Sequence, residues 1–333
     1  MQRRVPDLLP PLASGAACLL LTGCNWSQSV LAPRGSHAEA IDGILRVLFI
    51  GGALIFSLVA VLLATAILLR PSLRAWMASN NFIIGFGIVF PVITLMALLT
   101  FSSVVSRTMN GISDPKIRIE VIGEQFWWRV NYLDGQGNPA LATANEIRIP
   151  VNTPVEFILK TQDVIHSFWV PSLAGKLDMI PGRTNRYTFA ATSPGVYRGQ
   201  CAEYCGDQHA LMAFYVVAVP QADYESWFAE QVGNAAEPTT PLLTQGRDLF
   251  LAAGCGSCHT IRGTPADGTL GPDLTRVGSR LSIAAGTYPV NVGTLAGWTS
   301  SAPHLKPGNL MPSFGNLGGE QLRAIAAYME SLK

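Results

Sequence analysis

Two long apolar runs near the N-terminus constrain the fold of this chain most strongly. The first covers residues 44–69 and the second covers residues 82–101, and both are built mainly from aliphatic residues and Phe. Each approaches the ~20 apolar residues that a helix needs to cross a bilayer. A buried helical hairpin in a soluble protein is the alternative, but two adjacent runs of this length favour transmembrane helices. The composition agrees, with 49% hydrophobic and only 14% charged residues.

The residues around these runs indicate a topology and a processed N-terminus. Arg70 and Arg74 lie in the loop between the runs, and the preference for positive charge on the cytoplasmic side places that loop inside the cell. Both ends of the mature chain then face the outer side of a bacterial plasma membrane. Residues 1–23 resemble a lipoprotein signal peptide that ends before Cys24, so Cys24 is the expected lipidation site. An ordinary signal peptide is the alternative.

The rest of the chain divides into two parts with different patterns. Residues 113–235 contain short runs rich in Val, Ile and aromatic residues, broken by turn residues, which is typical of a β-sandwich or barrel. Residues 236–241 have the composition of a linker. Residues 242–333 indicate an all-α domain, with a short helix over 245–251 and a longer one over 320–332, separated by Pro- and Gly-rich turns. The expected fold is therefore multidomain, with a two-helix membrane segment over 24–112.

Charge limits the possible partners. The formal net charge is +1, which argues against nucleic acid because no basic surplus is available to neutralise phosphates. Between Ser113 and Gly233 the 13 Asp and Glu exceed the 9 Lys and Arg, whereas residues 242–333 carry 7 basic and 5 acidic residues. We expect the two domains to attract each other, with modest screening by salt.

The densest group of metal-binding residue types lies in the β-rich part. It combines two thiols, two imidazoles and a thioether, a soft donor set that selects copper over hard cations. A disulfide, a mononuclear blue-copper site and a copper-delivery site are the alternatives, although the second cysteine provides enough sulfur for two bridged copper ions. The residues are His166, Cys201, Cys205, His209 and Met212.

The stretch from His166 to Met212 resembles cytochrome c oxidase subunit II. The resemblance includes the segments Pro171-Ser172-Leu173, Ile180-Pro181-Gly182-Arg183 and Pro194-Gly195. It implies a cupredoxin fold and a binuclear copper-A centre. The implied copper ligands are His166, Cys201, Cys205, His209, Met212 and the backbone carbonyl of Glu203. The Glu203 side chain is further implied to reach a magnesium or manganese ion at the interface with subunit I.

A second motif, Cys255-Gly256-Ser257-Cys258-His259, matches the signature of covalent haem attachment. Residues 242–333 as a whole resemble a class I cytochrome c. That resemblance implies thioether bonds at Cys255 and Cys258, axial ligation by His259 and Met311, and a carbonyl of Pro272 that orients His259. It also implies that Tyr328 packs near Gly246. His304 is the alternative sixth ligand, but a His–Met pair gives a higher reduction potential that suits electron transfer.

These resemblances imply an electron-accepting subunit of a proton-pumping haem–copper oxidase. Its partners would be subunits I and III, with cytochrome c or a bc complex as electron donor. Two departures from the family stand out: Phe126 replaces the tryptophan expected in the electron-accepting aromatic patch Phe126, Trp127 and Trp128, and the second apolar run lacks an acidic residue. A copper-A subunit of a nitric oxide reductase, a copper-delivery protein and a structural quinol-oxidase subunit are the alternatives.

Overall fold

The computed structural model describes residues 28–68, 71–110 and 115–333. The predicted signal peptide, Cys24 and Arg70 therefore lie outside the described residues.

Among the described residues, two helices are long and apolar enough to cross a membrane, Ser36–Leu68 and Asn80–Met109. No residue in the most apolar 18-residue part of either helix is buried against the rest of the chain. The first helix begins about two turns before the predicted apolar run, and the second extends beyond its run at the C-terminal end. The second contains a short π-helical segment, Gly85–Val89, within the predicted run. The individual helices are α1 Ser36–Leu68, α2 Pro71–Met77, α3 Asn80–Ile84 and α4 Phe90–Asn110.

The β-rich part is a sandwich of two five-stranded sheets, as the alternating pattern predicts. One sheet has the strand order β3-β2-β1-β5-β8 and the other has the order β4-β10-β9-β6-β7. Residues of both inner faces form one core around Trp128, Phe157, Phe168 and Phe214. The strands are β1 Ile117–Glu124, β2 Trp127–Leu133, β3 Pro139–Ala144, β4 Glu146–Pro150, β5 Val155–Thr161, β6 His166–Trp169, β7 Leu177–Met179, β8 Asn185–Phe189, β9 Gly195–Cys201 and β10 Ala213–Val219.

The segment before α1 ties the membrane helix to the sandwich. The backbone N–H of Arg34 donates to the carbonyl of Ser172 at 2.7 Å, and that of Ser36 donates to Ala190 at 2.9 Å. A Cβ at Gly35 would lie 2.4 Å from the carbonyl oxygen of Leu173, so only glycine permits this close approach. These contacts attach the sandwich to the N-terminal end of the first membrane helix.

The C-terminal part is helical and forms a separate core that contains Phe250 and Tyr328. The helix Val292–Leu305 is not predicted by the sequence, because two glycines and Pro303 interrupt its apolar pattern; Asn291 and Thr294 cap it reciprocally. The helix Gln221–Gln231 after the last strand is also unpredicted. The remaining elements are α5 Gln221–Gln231, α6 Pro241–Ala252, α7 Val292–Leu305, α8 Gly319–Ser331 and the short strands β11 Ser282–Ile283 and β12 Tyr288–Pro289.

Candidate metal centres

The first candidate centre lies at one end of the sandwich, where β6 begins and β9 ends. His166 is the first residue of β6 and Cys201 the last of β9. The loop that follows returns through a short 3-10 turn, His209–Leu211, to β10, which brings Cys205 and Met212 back to the same place. The thiols of Cys201 and Cys205 and the ring of His166 are buried and offer ligand atoms within 4.8 Å of one another.

The geometry of the two sulfurs fits a bridged metal pair. Their Sγ atoms lie 3.8 Å apart, well beyond the ~2.05 Å of a disulfide, and both cysteines are free. A soft metal bonded to sulfur at about 2.3 Å can contact both sulfurs at once. This spacing therefore suits two shared thiolates and disfavours the disulfide alternative.

Each sulfur also has its own nitrogen donor and one further donor. Cys201 Sγ lies 3.7 Å from Nδ1 of His166 and 3.1 Å from the carbonyl oxygen of Glu203. Cys205 Sγ lies 3.7 Å from Nδ1 of His209 and 3.8 Å from Sδ of Met212. Together with the two sulfurs, these donors are numerous enough to hold two metal ions, whereas a single-metal delivery site would use only part of the set.

The two thiols affect each other's pKa, which bears on the protons that metal binding must displace. The hydrogen bond with Cys205 lowers the pKa of Cys201, and the same contact, together with burial, raises the pKa of Cys205. The contact therefore favours the charged form of Cys201 and disfavours that of Cys205. Because both sulfurs must be deprotonated as metal ligands, metal uptake at this pair releases protons.

The ring of His166 is oriented by residues that the sequence did not indicate. Its Nε2 lies 2.8 Å from Oδ1 of Asp163, so that Nδ1 faces Cys201. Burial opposes the charged imidazole, but hydrogen bonds to Cys201 and Asp163 raise the pKa of His166. A Cβ at Gly123 would lie 2.6 Å from the ring, so this position in β1 must be glycine. Asp163 and Gly123 are not predicted metal ligands themselves, so the search of the sequence for ligand residues did not find them.

The side chain of Glu203 points away from the sulfurs. Its Oε2 pairs with Nζ of Lys176 at 3.0 Å, and the two side chains are 44% and 47% exposed, respectively. Lys176 also pairs with Asp178 at 3.2 Å. The backbone carbonyl of Glu203 therefore lies near the sulfur of Cys201, whereas its carboxylate forms an ion pair with Lys176.

The three residues of the predicted aromatic patch differ in their surroundings. Phe126 and Trp128 are buried, whereas Trp127 is half-buried and has the guanidinium of Arg129 above its ring at 4.7 Å. Trp128 packs against His166, with ring centroids 6.2 Å apart. The patch therefore links the surface of the sandwich to a predicted copper ligand through β2.

The second candidate centre lies in the C-terminal domain. Cys255 begins a short 3-10 turn, Cys255–Ser257, and Nδ1 of His259 donates to the carbonyl of Pro272 at 2.8 Å. Burial lowers the pKa of His259, which favours the neutral imidazole that a metal needs. A Cβ at Gly271 would lie 2.5 Å from this ring, so the backbone packs closely against the ring. Since Nδ1 bonds to Pro272, Nε2 is the nitrogen that is left for iron.

The candidates for the sixth ligand lie in different surroundings. Met311 is half-buried, and its backbone N–H donates to Oδ1 of Asn309 at 2.9 Å. His304 is exposed in the last turn of α7. The packing of the first and last helices follows the resemblance: a Cβ at Gly246 would lie 2.1 Å from the carbonyl oxygen of Ala324 and 2.8 Å from Cβ of Tyr328.

Comparisons with known proteins agree with both centres. Residues 133–219 match the family "Cytochrome C oxidase subunit II, periplasmic domain", and residues 243–333 match the cytochrome c family. The chain is 34% identical over 331 residues to "Cytochrome c oxidase subunit 2" of Alkalihalophilus pseudofirmus, covering 95% of this chain and 94% of that protein. The same subunit of Bacillus sp. (strain PS3) is 33% identical over 265 residues, covering 74% of this chain and 72% of that protein. The crystal structure of the periplasmic domain of subunit II of cytochrome oxidase of Bradyrhizobium japonicum is 29% identical, with a TM-score of 0.34, and covers 36% of this chain and 96% of that one.

A cupredoxin with a two-thiolate site, joined to membrane-spanning helices and to a haem-binding domain, defines a membrane-bound electron-transfer subunit. The chain belongs to the cytochrome c oxidase subunit II family and carries a C-terminal cytochrome c domain. It is the subunit of an oxidase complex at which electrons enter, with a copper-A-type site of His, Cys and Met residues.

Proposed function

We propose that electrons enter this subunit at the cytochrome c domain and pass within the chain to the copper domain, which delivers them to subunit I of the oxidase. The observation that carries this proposal is the seating of one domain on the other. The backbone N–H of Ala213, next to Met212, donates to the carbonyl of Ala285 at 3.0 Å. The haem domain thus contacts the strand that begins beside a predicted copper ligand.

The aromatic patch supports the same direction of electron flow. A Cβ at Gly308 of the haem domain would lie 3.2 Å from the ring of Phe126, and Phe126 is only 5% exposed. The chain's own haem domain therefore covers the position at which an external cytochrome would reach Phe126. This explains why a tryptophan is dispensable there, because the tethered domain replaces the encounter with a soluble donor.

This proposal assigns ligands to both cofactors, the copper pair and the haem. In this proposal His166, Cys201, Cys205, His209, Met212 and the carbonyl of Glu203 would hold the copper pair, and Cys255, Cys258, His259 and Met311 would hold the haem. When bound, these groups supply reversible one-electron oxidation and reduction. The protein holds two of these donors in place before the groups bind: Asp163 orients His166, and Pro272 orients His259. Such outer contacts fix ligand geometry in metal sites.

The exposed side of the copper loop is proposed as the contact with subunit I. Glu203 and Tyr204 are adjacent to Cys205 in this loop, and Tyr204 is 74% exposed. The Glu203 carboxylate would bind magnesium or manganese there after exchanging its Lys176 partner for the ion. Subunit III and a donor such as cytochrome c or a bc complex complete the proposed assembly.

We also propose that both soluble domains lie on the outer side of the plasma membrane. Arg74 lies in the last turn of α2, between the two spans, where positive charge favours the cytoplasmic side. Nε2 of His37, near the start of the first span, lies 3.0 Å from the carbonyl oxygen of Met109 at the end of the second. The two spans therefore begin and end on the same side.

Flash reduction of the purified oxidase complex tests the order of electron flow. We expect the haem of this subunit to be reduced before its copper, with only modest slowing of the second step at high salt. The variant Cys201→Ser should keep haem reduction and lose transfer beyond it. Oxidase turnover with cytochrome c in that variant, or copper reduction that precedes haem reduction in the wild type, would contradict the proposal.

A further inference from the structure

One buried lysine joins the two soluble domains, and neither proposed centre uses it. Lys306 follows helix α7 and lies five positions before Met311, yet it is only 2% exposed. Its Nζ donates to the carbonyl oxygens of Phe126 at 2.9 Å, Leu211 at 2.9 Å and Ala284 at 3.0 Å. An ammonium group has three N–H donors, so these three carbonyls satisfy it completely.

The three acceptors belong to two different domains. Ala284 lies in the haem domain, whereas Phe126 and Leu211 lie in the copper domain. Leu211 ends the 3-10 turn His209–Leu211 and directly precedes Met212, so it lies between two predicted copper ligands, two positions after one and one position before the other. Phe126 is the residue that the haem domain covers. Lys306 therefore ties the loop leading to the sixth haem ligand to both the copper loop and the aromatic patch.

Burial of a lysine side chain costs free energy, because its charged form loses the hydration that it has in water. Desolvation lowers the pKa of Lys306 to about 7, and an apolar side chain of similar length would avoid that cost. The three hydrogen bonds to backbone carbonyls, however, hold the amine of Lys306 in one position.

The neighbouring contacts between the domains are directional as well. The backbone N–H of Leu281 donates to Oε2 of Glu146 at 2.8 Å, and Arg129 donates to the carbonyl of Leu270 at 3.3 Å. With the Ala213–Ala285 bond, these contacts join the two domains at several points in addition to Lys306. The haem domain is thus seated in one orientation and is not merely concentrated near the copper domain by its tether.

We propose that Lys306 is a positioning residue that fixes the distance and orientation between the haem and copper domains and so sets the rate of electron transfer between them. The inference rests on the proposed function, in which electrons pass from the first domain to the second. Because electron tunnelling weakens steeply with distance, a domain that rocks on its partner transfers electrons more slowly and with a spread of rates.

The test uses the purified oxidase complex with wild-type, Lys306→Met and Arg323→Met forms of this subunit. Arg323 is exposed on α8, so its replacement removes one positive charge from the same domain without touching the contact. We expect Lys306→Met to slow the haem-to-copper step by about tenfold or more, as misplacement of reacting groups does. That step should become multiphasic and more salt-sensitive, because the remaining contacts between the domains include exposed charged groups such as Arg129, which salt screens. Arg323→Met should retain the wild-type rate.

Two readouts separate positioning from a merely structural role. The haem and copper spectra and the copper-to-subunit-I rate should be unchanged in Lys306→Met. Hydrogen–deuterium exchange should become faster at residues 211–213 and 284–286, which needs no turnover to observe. If Lys306→Met loses its copper spectrum, Lys306→Gln replaces it; that side chain keeps an N–H donor at shorter reach, and we expect a smaller but measurable slowing.

The outcomes distinguish the two proposals. Copper reduction before haem reduction in the wild type would overturn the proposed function. Wild-type order together with unchanged rate, salt dependence and exchange in Lys306→Met, or a wild-type rate in Lys306→Gln when it is needed, would overturn the role of Lys306 alone.

Discussion

Asp163 and His166 form a fixed pair in which Oδ1 of the carboxylate lies 2.8 Å from Nε2 of the ring. Oδ2 of Asp163 also accepts from the backbone N–H of Gln125 at 2.7 Å, so the carboxylate itself is held in place. The pair leaves Nδ1 of His166 directed at the sulfur of Cys201. A residue three positions before the ligand therefore determines which ring nitrogen is available to copper.

Replacement of this carboxylate is expected to weaken copper binding. Asp163→Asn keeps the size of the side chain but loses the charge that orients the ring, and we expect copper affinity to fall about 10–100-fold. Competition with a copper chelator measures the change. Asp223→Asn, at an exposed position in the first turn of α5, serves as the control, and equal affinities for the two variants would contradict the role of Asp163.

Cofactor content tests the two ligand sets together. A soluble fragment covering residues 114–333 should hold two copper ions and one haem, because each sulfur of the thiol pair has its own further donors. Copper analysis and the pyridine haemochrome spectrum provide the counts. Thioether bonds should keep the haem on the protein during acid–acetone extraction, and haem released by that treatment would refute attachment at Cys255 and Cys258.

The sixth haem ligand is tested by a pair of variants. Met311→Ala should abolish the low-spin His–Met spectrum, whereas His304→Ala should leave it almost unchanged, since His304 is exposed in the last turn of α7. Optical and near-infrared magnetic circular dichroism spectra report the ligand directly. Loss of the spectrum in His304→Ala and its survival in Met311→Ala would assign the ligand to His304.

The contact between the first and last helices of the haem domain should depend on glycine. In Gly246→Ala the new methyl group would lie 2.1 Å from the carbonyl oxygen of Ala324, and we expect the helices to separate slightly at a cost of about 1–3 kcal/mol. Gly297→Ala is the matched control, because a Cβ there meets nothing within 4 Å and should stabilise helix α7 by about 0.5–1 kcal/mol. Thermal unfolding of the haem domain measures both, and a Gly246→Ala midpoint at or above that of Gly297→Ala would contradict the packing.

The sequence by itself determined the features whose chemistry is local. Two apolar runs indicate the membrane spans, the Cys-x-x-Cys-His segment predicts the haem site, and the loop from Cys201 to Met212 carries four predicted copper ligands within twelve residues. In each case the residue types and their spacing along the chain are sufficient, because the relevant period or motif does not depend on how distant segments pack.

Only the tertiary structure decided the contacts between distant segments. Lys306 is a single charged residue in a Pro- and Gly-rich stretch, where solvent exposure is the ordinary expectation, yet it is buried against carbonyls 180 and 95 positions away. Gly123 and Phe126 likewise acquire their roles from the ring of His166 and the haem domain that pack against them. Strand register and domain docking set these neighbours, and both result from the whole packed core, which no local pattern records.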